Sequence, residues 1–252
     1  ATEAQTNIRV DPGVTATITA AIGGAGGLDK LDSGTLILGA ANSYAGETWI
    51  SGGTLRAGAD GALPEGTAVT VAGGATLDVA ADQSIASLAG SGTVQLSSGD
   101  LATGSAGVDT RFDGTISGSG GLTKTGSGIF TLAGSNDYAG GTTVAGGTLR
   151  LDDGTIGSGD LAIAASAILD LNGSDGAVGD LRGSGEIRLG AGTLAAGATD
   201  DTEFAGAISG SGGLIKTGAG DLTLSGANSF TGGTMVNEGL LVAGAAGSFG
   251  TG

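Results

Sequence analysis

Apolar residues in this chain recur in four-residue segments whose second and fourth positions are hydrophobic: TLIL from Thr35, TLRA from Thr54, TLDV from Thr76, TVQL from Thr93, IFTL from Ile129, TLRL from Thr148, ILDL from Ile168, EIRL from Glu186 and DLTL from Asp221. Leu240 opens a further segment, and Thr17–Ala20 hold another candidate. Arg111 and Glu203 begin weaker ones, in which Phe112 and Phe204 are followed by Gly114 and Gly206 at the fourth position. The starts run 35, 54, 76, 93, 111, 129, 148, 168, 186, 203, 221 and 240, so successive segments lie 17 to 22 residues apart. Alternation at a period of two is the pattern of a strand with one face buried, and each segment is too short to be a stable helix. Gly, Ser, Asn or Asp follows within a few residues and supplies the turns. About 19 residues therefore bring the chain back to the same place one layer on, which is the coil of a parallel β-helix. The expected fold is all-β, a solenoid of about 12 to 13 coils forming a rod of roughly 60 Å at the usual strand spacing. The lumen is assigned to Leu36 and Leu38, Leu55, Leu77 and Val79, Val94 and Leu96, Phe130 and Leu132, Leu149 and Leu151, Leu169 and Leu171, Ile187 and Leu189, Leu222 and Leu224, and Leu241.

A longer repeat contains the short one. Leu122 to Leu151, LTKTGSGIFTLAGSNDYAGGTTVAGGTLRL, has close copies at Leu28 to Ala57 and Leu214 to Ala243. Leu28, Leu122 and Leu214 correspond, as do Lys30, Lys124 and Lys216, then Asn42, Asn136 and Asn228, then Tyr44, Tyr138 and Phe230, at offsets of 94 and 92 residues. Five short periods make each long one on this count. A single segment, 1–252, is expected, with 1–21 as a first coil or cap turned at Pro12 and Gly13, 22–115 and 116–207 as two long units, and 208–252 as a partial third. The start at ATEAQ and the end inside the third unit fit a mature or excised piece of a longer parent.

Composition narrows the function. Glycine, at 56 of 252 residues, is about three times its ordinary share, but apolar residues at fixed intervals mark order rather than a flexible linker. The net charge of −16 with only nine basic residues excludes a nucleic-acid partner, which needs clustered Lys and Arg. Acidity keeps a rod soluble and self-repelling, with weak divalent-cation binding by surface aspartates as a second account. No cysteine is present, so burial and strand pairing must stabilise the chain without disulfides. No run of 18 apolar residues exists, so no direct membrane insertion by a helix is expected. Without His or Cys, Ser-His-Asp and Cys-His catalysis and the common zinc sites are out, and no cofactor is expected.

The third position of each segment should face solvent. Arg150, Asp170 and Arg188 then form an outward charge ladder between stacked coils, each pair contributing about 0 to 1 kcal/mol and favouring correct register. Asn42, Asn136 and Asn228 fit either an asparagine stack at a corner or turn residues in the left-handed region. At Tyr44, Tyr138 and Phe230 the ring is kept but the hydroxyl is not, which favours packing. Trp49, in TWI, is either a carbohydrate-stacking platform or a packing residue, the latter preferred. Leu63, Pro64 and Glu65 fall in the longest interval and suggest a small loop.

GSGGLTKTGSGIFTLAGSNDYAGGTTVAGGTLRL resembles the autotransporter-associated β-strand repeat, also called the passenger-associated transport repeat, of Gram-negative autotransporters. The resemblance implies a right-handed parallel β-helix in an extracellular passenger, displayed on or released from the outer membrane through a β-barrel of the parent chain, in proteins that include adhesins. The expected function is a non-enzymatic scaffold or adhesive segment, with a host or neighbouring-cell surface, or self-association, as partner. Two alternatives remain. A polysaccharide lyase-like enzyme would draw on Asp152, Asp153 and Asp170 with Arg150 and Arg188, and an ice-binding solenoid on threonines such as Thr15, Thr17 and Thr19.

Overall fold

Burial follows the alternation segment by segment. In TLIL, Leu36 and Leu38 are inaccessible while Thr35 and Ile37 are half-buried, and the same pattern runs through TLRA, TLDV, TVQL, IFTL and TLRL. The computed structural model describes residues 5–197 and 199–251; residues 1–4 of the expected first coil lie outside the described residues. It is an all-β parallel solenoid of about 12 turns, about 20 residues per turn, with no helix among the described residues.

Three columns of parallel strands form three faces. Face I is an 11-stranded sheet from Thr6–Arg9 to Ala207–Ser209. Face II starts as a six-stranded sheet, Thr15–Ile18 to Thr115–Gly118, and resumes as a four-stranded sheet, Gly176–Val178 to Thr234–Val236. Face III opens with the pair Gly23–Gly24 and Ser43–Tyr44 and continues as nine strands from Gln83–Ile85 to Leu241–Ala243. Strands too short for independent stability gain it by stacking, because each coil hydrogen-bonds the coils before and after it.

Leu36, Leu55, Leu77 and Val94 stand directly above one another along face II. Their row and its counterparts on the other faces make one continuous core. Each fully buried aliphatic chain contributes roughly 1.5–3 kcal/mol against the entropy of ordering the coil. Of the residues assigned to the lumen, Leu241 is only partly buried and packs at the edge of this core.

The expected line of segments from Thr35 to Leu240 does not stay on one side. Thr35–Leu38 through Thr93–Leu96 lie on face II, Thr110–Phe112 through Glu186–Arg188 on face I, and Thr202–Phe204, Leu222–Leu224 and Leu241–Ala243 on face III. Thr93 pairs with Thr115 rather than with Arg111, whose partner is Thr131. The two slips occur at the two weak segments, and the reason is steric. Phe112 and Phe204 are wholly buried opposite Gly90 and Gly183 of the preceding coil. Each ring also closes over the glycine two residues on: a Cβ at Gly114 would stand 2.7 Å from Phe112 Cζ, and one at Gly206 2.6 Å from Phe204 Cζ.

The long repeat is consequently not a whole number of turns. Leu28–Leu31 lies on face I, Leu122–Lys124 on face III and Leu214–Lys216 on face II. Offsets of 94 and 92 residues at about 20 residues per turn amount to roughly four and two-thirds turns, so each copy is rotated by a third of a turn from the last.

Candidate functional site

Inside each repeat three polar groups brace the coil from within. Leu28 and Lys30, Leu122 and Lys124, and Leu214 and Lys216 alternate on the inward side of their strands, and all three lysines are buried. The Lys30 ammonium donates to the carbonyls of Leu31 and Asp32 at 2.8 Å and of Gly52, one coil on, at 3.1 Å. Lys124 does the same with Thr125, Gly126 and Gly146, and Lys216 with Thr217, Gly218 and Glu238. Burial holds Lys30 and Lys124 below the ordinary lysine range, partly offset by Asp32 and Asp109. Alternation alone puts these lysines on the leucine side, a signal present in L-x-K that the sequence reading did not use.

The asparagines neither stack nor take the left-handed conformation. They stand on three different faces, and none has a positive φ. Each bridges two coils: Asn136 Oδ1 accepts from the Ile116 amide at 2.8 Å and its Nδ2 donates to the Thr155 carbonyl at 2.8 Å. Asn42 joins Ile22 to Ala62, and Asn228 joins Ile208 to Ser248, in the same way. Tyr44 and Tyr138 are buried, and each hydroxyl meets a threonine hydroxyl four residues on, Thr48 at 2.6 Å and Thr142 at 2.7 Å. Phe230 keeps the packing and loses this bond. Burial pushes both tyrosine hydroxyls up to about 12.

Outward-facing chemistry is sparser. Arg150 and Asp170 are register neighbours with Nε and Oδ2 3.7 Å apart, and Asp170 is in turn opposite Arg188. Arg188 instead forks onto Glu186 of its own strand, at 2.8 and 2.9 Å. Asp152 is taken by Arg111, and Asp153 sits exposed in a turn with φ 58°. Of the residues of the lyase-like alternative, Arg150 and Asp170 face each other while Asp152 and Arg188 are held by other partners, and no group of three or more His, Cys, Asp or Glu among the described residues could hold a metal. Thr15, Thr35, Thr54, Thr76, Thr93 and Thr115 stack in one column of face II, but two residues on the column reads Thr17, Ile37, Arg56, Asp78, Gln95 and Ser117, so no Thr-x-Thr pair repeats from coil to coil. Many aspartates cap corners: the amides of Asp82, Asp100 and Gly121 donate in succession to Asp60, Asp82 and Asp100 of the coil before. Trp49 is 40% exposed, with its indole donating to Glu47 at 2.9 Å, so the packing assignment gives way to a surface one.

Two troughs run along the rod at equivalent places in successive repeats. The first, about 420 Å³ on face III, is lined by Leu63, Glu65, Asp82, Gln83, Ser84, Asp100, Ala102 and Thr123. The second, about 490 Å³ on face II, is lined by Ile156, Asp175, Gly176, Ala177, Thr193, Ala195 and Ile215, with Asn136 and Asp137 at one end. Strand for strand, Gln83–Ile85 corresponds to Gly176–Val178 and Leu101–Thr103 to Leu194–Ala196. At the first trough the Gln83 amide accepts from Leu63 and donates to Ala59 and Ala81. Gly176 stands where Gln83 stood, and the second trough is open and mostly apolar.

The family model of the passenger-associated-transport-repeat matches at residues 28–57, 122–151 and 214–243. The chain carries three passenger-associated transport repeats. Every buried brace described above, the lysine, the asparagine and the aromatic–threonine pair, lies within one of them. Over 159 residues the transport-repeat chain is 40% identical to the adhesin BmaC autotransporter of Brucella suis biovar 1 (strain 1330), a match that covers 59% of this chain and 5% of that protein. The chain thus spans a small part of that relative's length. No solved structure matches it.

Proposed function

We propose that this chain is a non-enzymatic segment of an autotransporter passenger, displayed at the bacterial surface, where it supports the passenger as a rod and offers its outer faces for adhesion to a host or neighbouring cell or to another copy. The observation that carries the reading is the likeness to an adhesin over more than half of the chain. The internal economy of the transport repeats supports it: their recurrent polar residues are spent on bracing the solenoid. The test is expression of the parent protein with and without residues 22–252, scoring surface display and cell aggregation separately. Loss of aggregation with display intact is the outcome expected of an adhesive segment. Loss of display alone would restrict the role to secretion and scaffolding, and retention of both would overturn the reading.

A further inference from the structure

The second trough lies where face II is interrupted. Residues 134–139 and 155–158 carry no strand, and the sheet resumes at Gly176–Val178 with nothing paired on its leading edge. Gly176 donates its amide to Thr193 of the following coil at 2.9 Å. Alternation along a strand therefore turns the N–H and C=O of Ala177 toward the preceding coil. No backbone hydrogen bond joins 155–158 to 175–178 among the described residues; contact resumes only at Gly179, which donates to Gly159. Ala177 is exposed and lines the trough. An unpaired strand edge beside an apolar trough is a template for another strand.

We propose that this edge receives an extended peptide segment of a partner protein by strand addition, the peptide backbone pairing with Ala177 and its apolar side chains lying in the trough between Ala177 and Ile156. Charge selects among such segments. Asp137 and Asp175 are exposed at the trough and neither is in an ion pair among the described residues, so a segment alternating apolar with basic residues fits best. The mostly apolar lining offers no aromatic ring for a sugar to stack on, so a glycan fits it less well than a strand.

The inference rests on the adhesive reading only for its biological setting, and binding by the purified chain tests it apart from display or aggregation. The probe is a fluorescein-labelled decapeptide of alternating Lys and Val, measured by anisotropy at 0.15 M salt, with a second version N-methylated at alternate backbone amides. The wild-type chain binds the first and binds the methylated one at least tenfold more weakly. Ala177→Pro, which removes the edge donor but no bond to the following coil, weakens binding at least tenfold. Circular dichroism checks that the variant folds. Equal binding of the two peptides, unchanged binding by the Ala177→Pro variant, displacement by neutral oligosaccharides, or no binding of the probe to the wild type overturns the proposal.

Discussion

Asn136 does with one amide what a strand does with its backbone: it takes a proton from the coil before and gives one to the coil after, at a place where the sheet is interrupted. Removing it leaves the buried Ile116 amide without a partner, which costs about 1–3 kcal/mol, while the carbonyl of the exposed Thr155 can turn to water. Asn136→Ala should lower unfolding free energy in urea by about 1–3 kcal/mol, while Ser135→Ala, at an exposed neighbour, should change it by less than about 0.5 kcal/mol. The titrating groups give a second expectation. With Tyr44 and Tyr138 held at about 12 against the usual 10, the unfolded chain sheds phenolic protons between those values that the folded chain keeps, so stability falls across that window. The depressed lysines act with the opposite sign. Their penalty is present in full at neutral pH and is relieved as pH rises through their lowered values toward 10.5. The urea midpoint should therefore hold or rise up to about pH 10 and drop beyond it, with tyrosinate absorbance appearing together with the loss of β-structure. Tyrosinate formed while the dichroism is still native would contradict this. At this scale the buried lysines were legible in L-x-K, but the asparagine bridges were not, because their partners lie one coil away in each direction and no local pattern names them.

At the scale of strands and columns, the alternating leucines announced the fold and the equivalence of Leu36, Leu55, Leu77 and Val94, because period-two burial is a local property. What the spacing could not show is which column a segment joins. An interval of 18 residues from Thr93 to Arg111 reads as one turn, yet the chain between them lays down only the strand Leu101–Thr103 before reaching face I. The two phenylalanine-glycine segments that fit the pattern poorly are the places where that count fails. The outward charge ladder belongs here too. Arg150 and Asp170 are 41% and 22% exposed and 3.7 Å apart, so their coupling in a double-mutant cycle should be small, about 0.5 kcal/mol. Arg188 is bound twice to Glu186 and only faces Asp170, so the Arg188–Glu186 cycle should give the larger value. Zero coupling between Arg150 and Asp170 would remove that pair as a guide to register.

For the molecule as a whole, the one-third rotation between copies means that equivalent outer residues point three ways: Trp49 on face I, Thr143 on face III and Met235 on face II. The trough likewise moves from face III to face II, so a rod of such repeats presents related but diverged surfaces around its circumference, not along one side. The same geometry makes a long unit removable. Residues 117–122 and 209–214 both read SGSGGL, so deleting 122–213 and joining Gly121 to Leu214 leaves the local sequence unbroken. Leu214, which stacks on Leu194 with Ala195 beside it, would stack on Leu101 with Ala102 beside it, a near-identical bed. The shortened chain should keep its parallel-β dichroism and a cooperative transition, and small-angle scattering should show a rod shorter by about 22 Å, four and two-thirds turns at the strand spacing. Removing 122–131 instead takes out half a turn, sets Leu132 and Gly134 where Leu122 and Lys124 belong so that the inward lysine brace is lost, and should give a chain that aggregates or unfolds. If the two deletions behaved alike, the repeat would not be the interchangeable unit that its rotated copies describe.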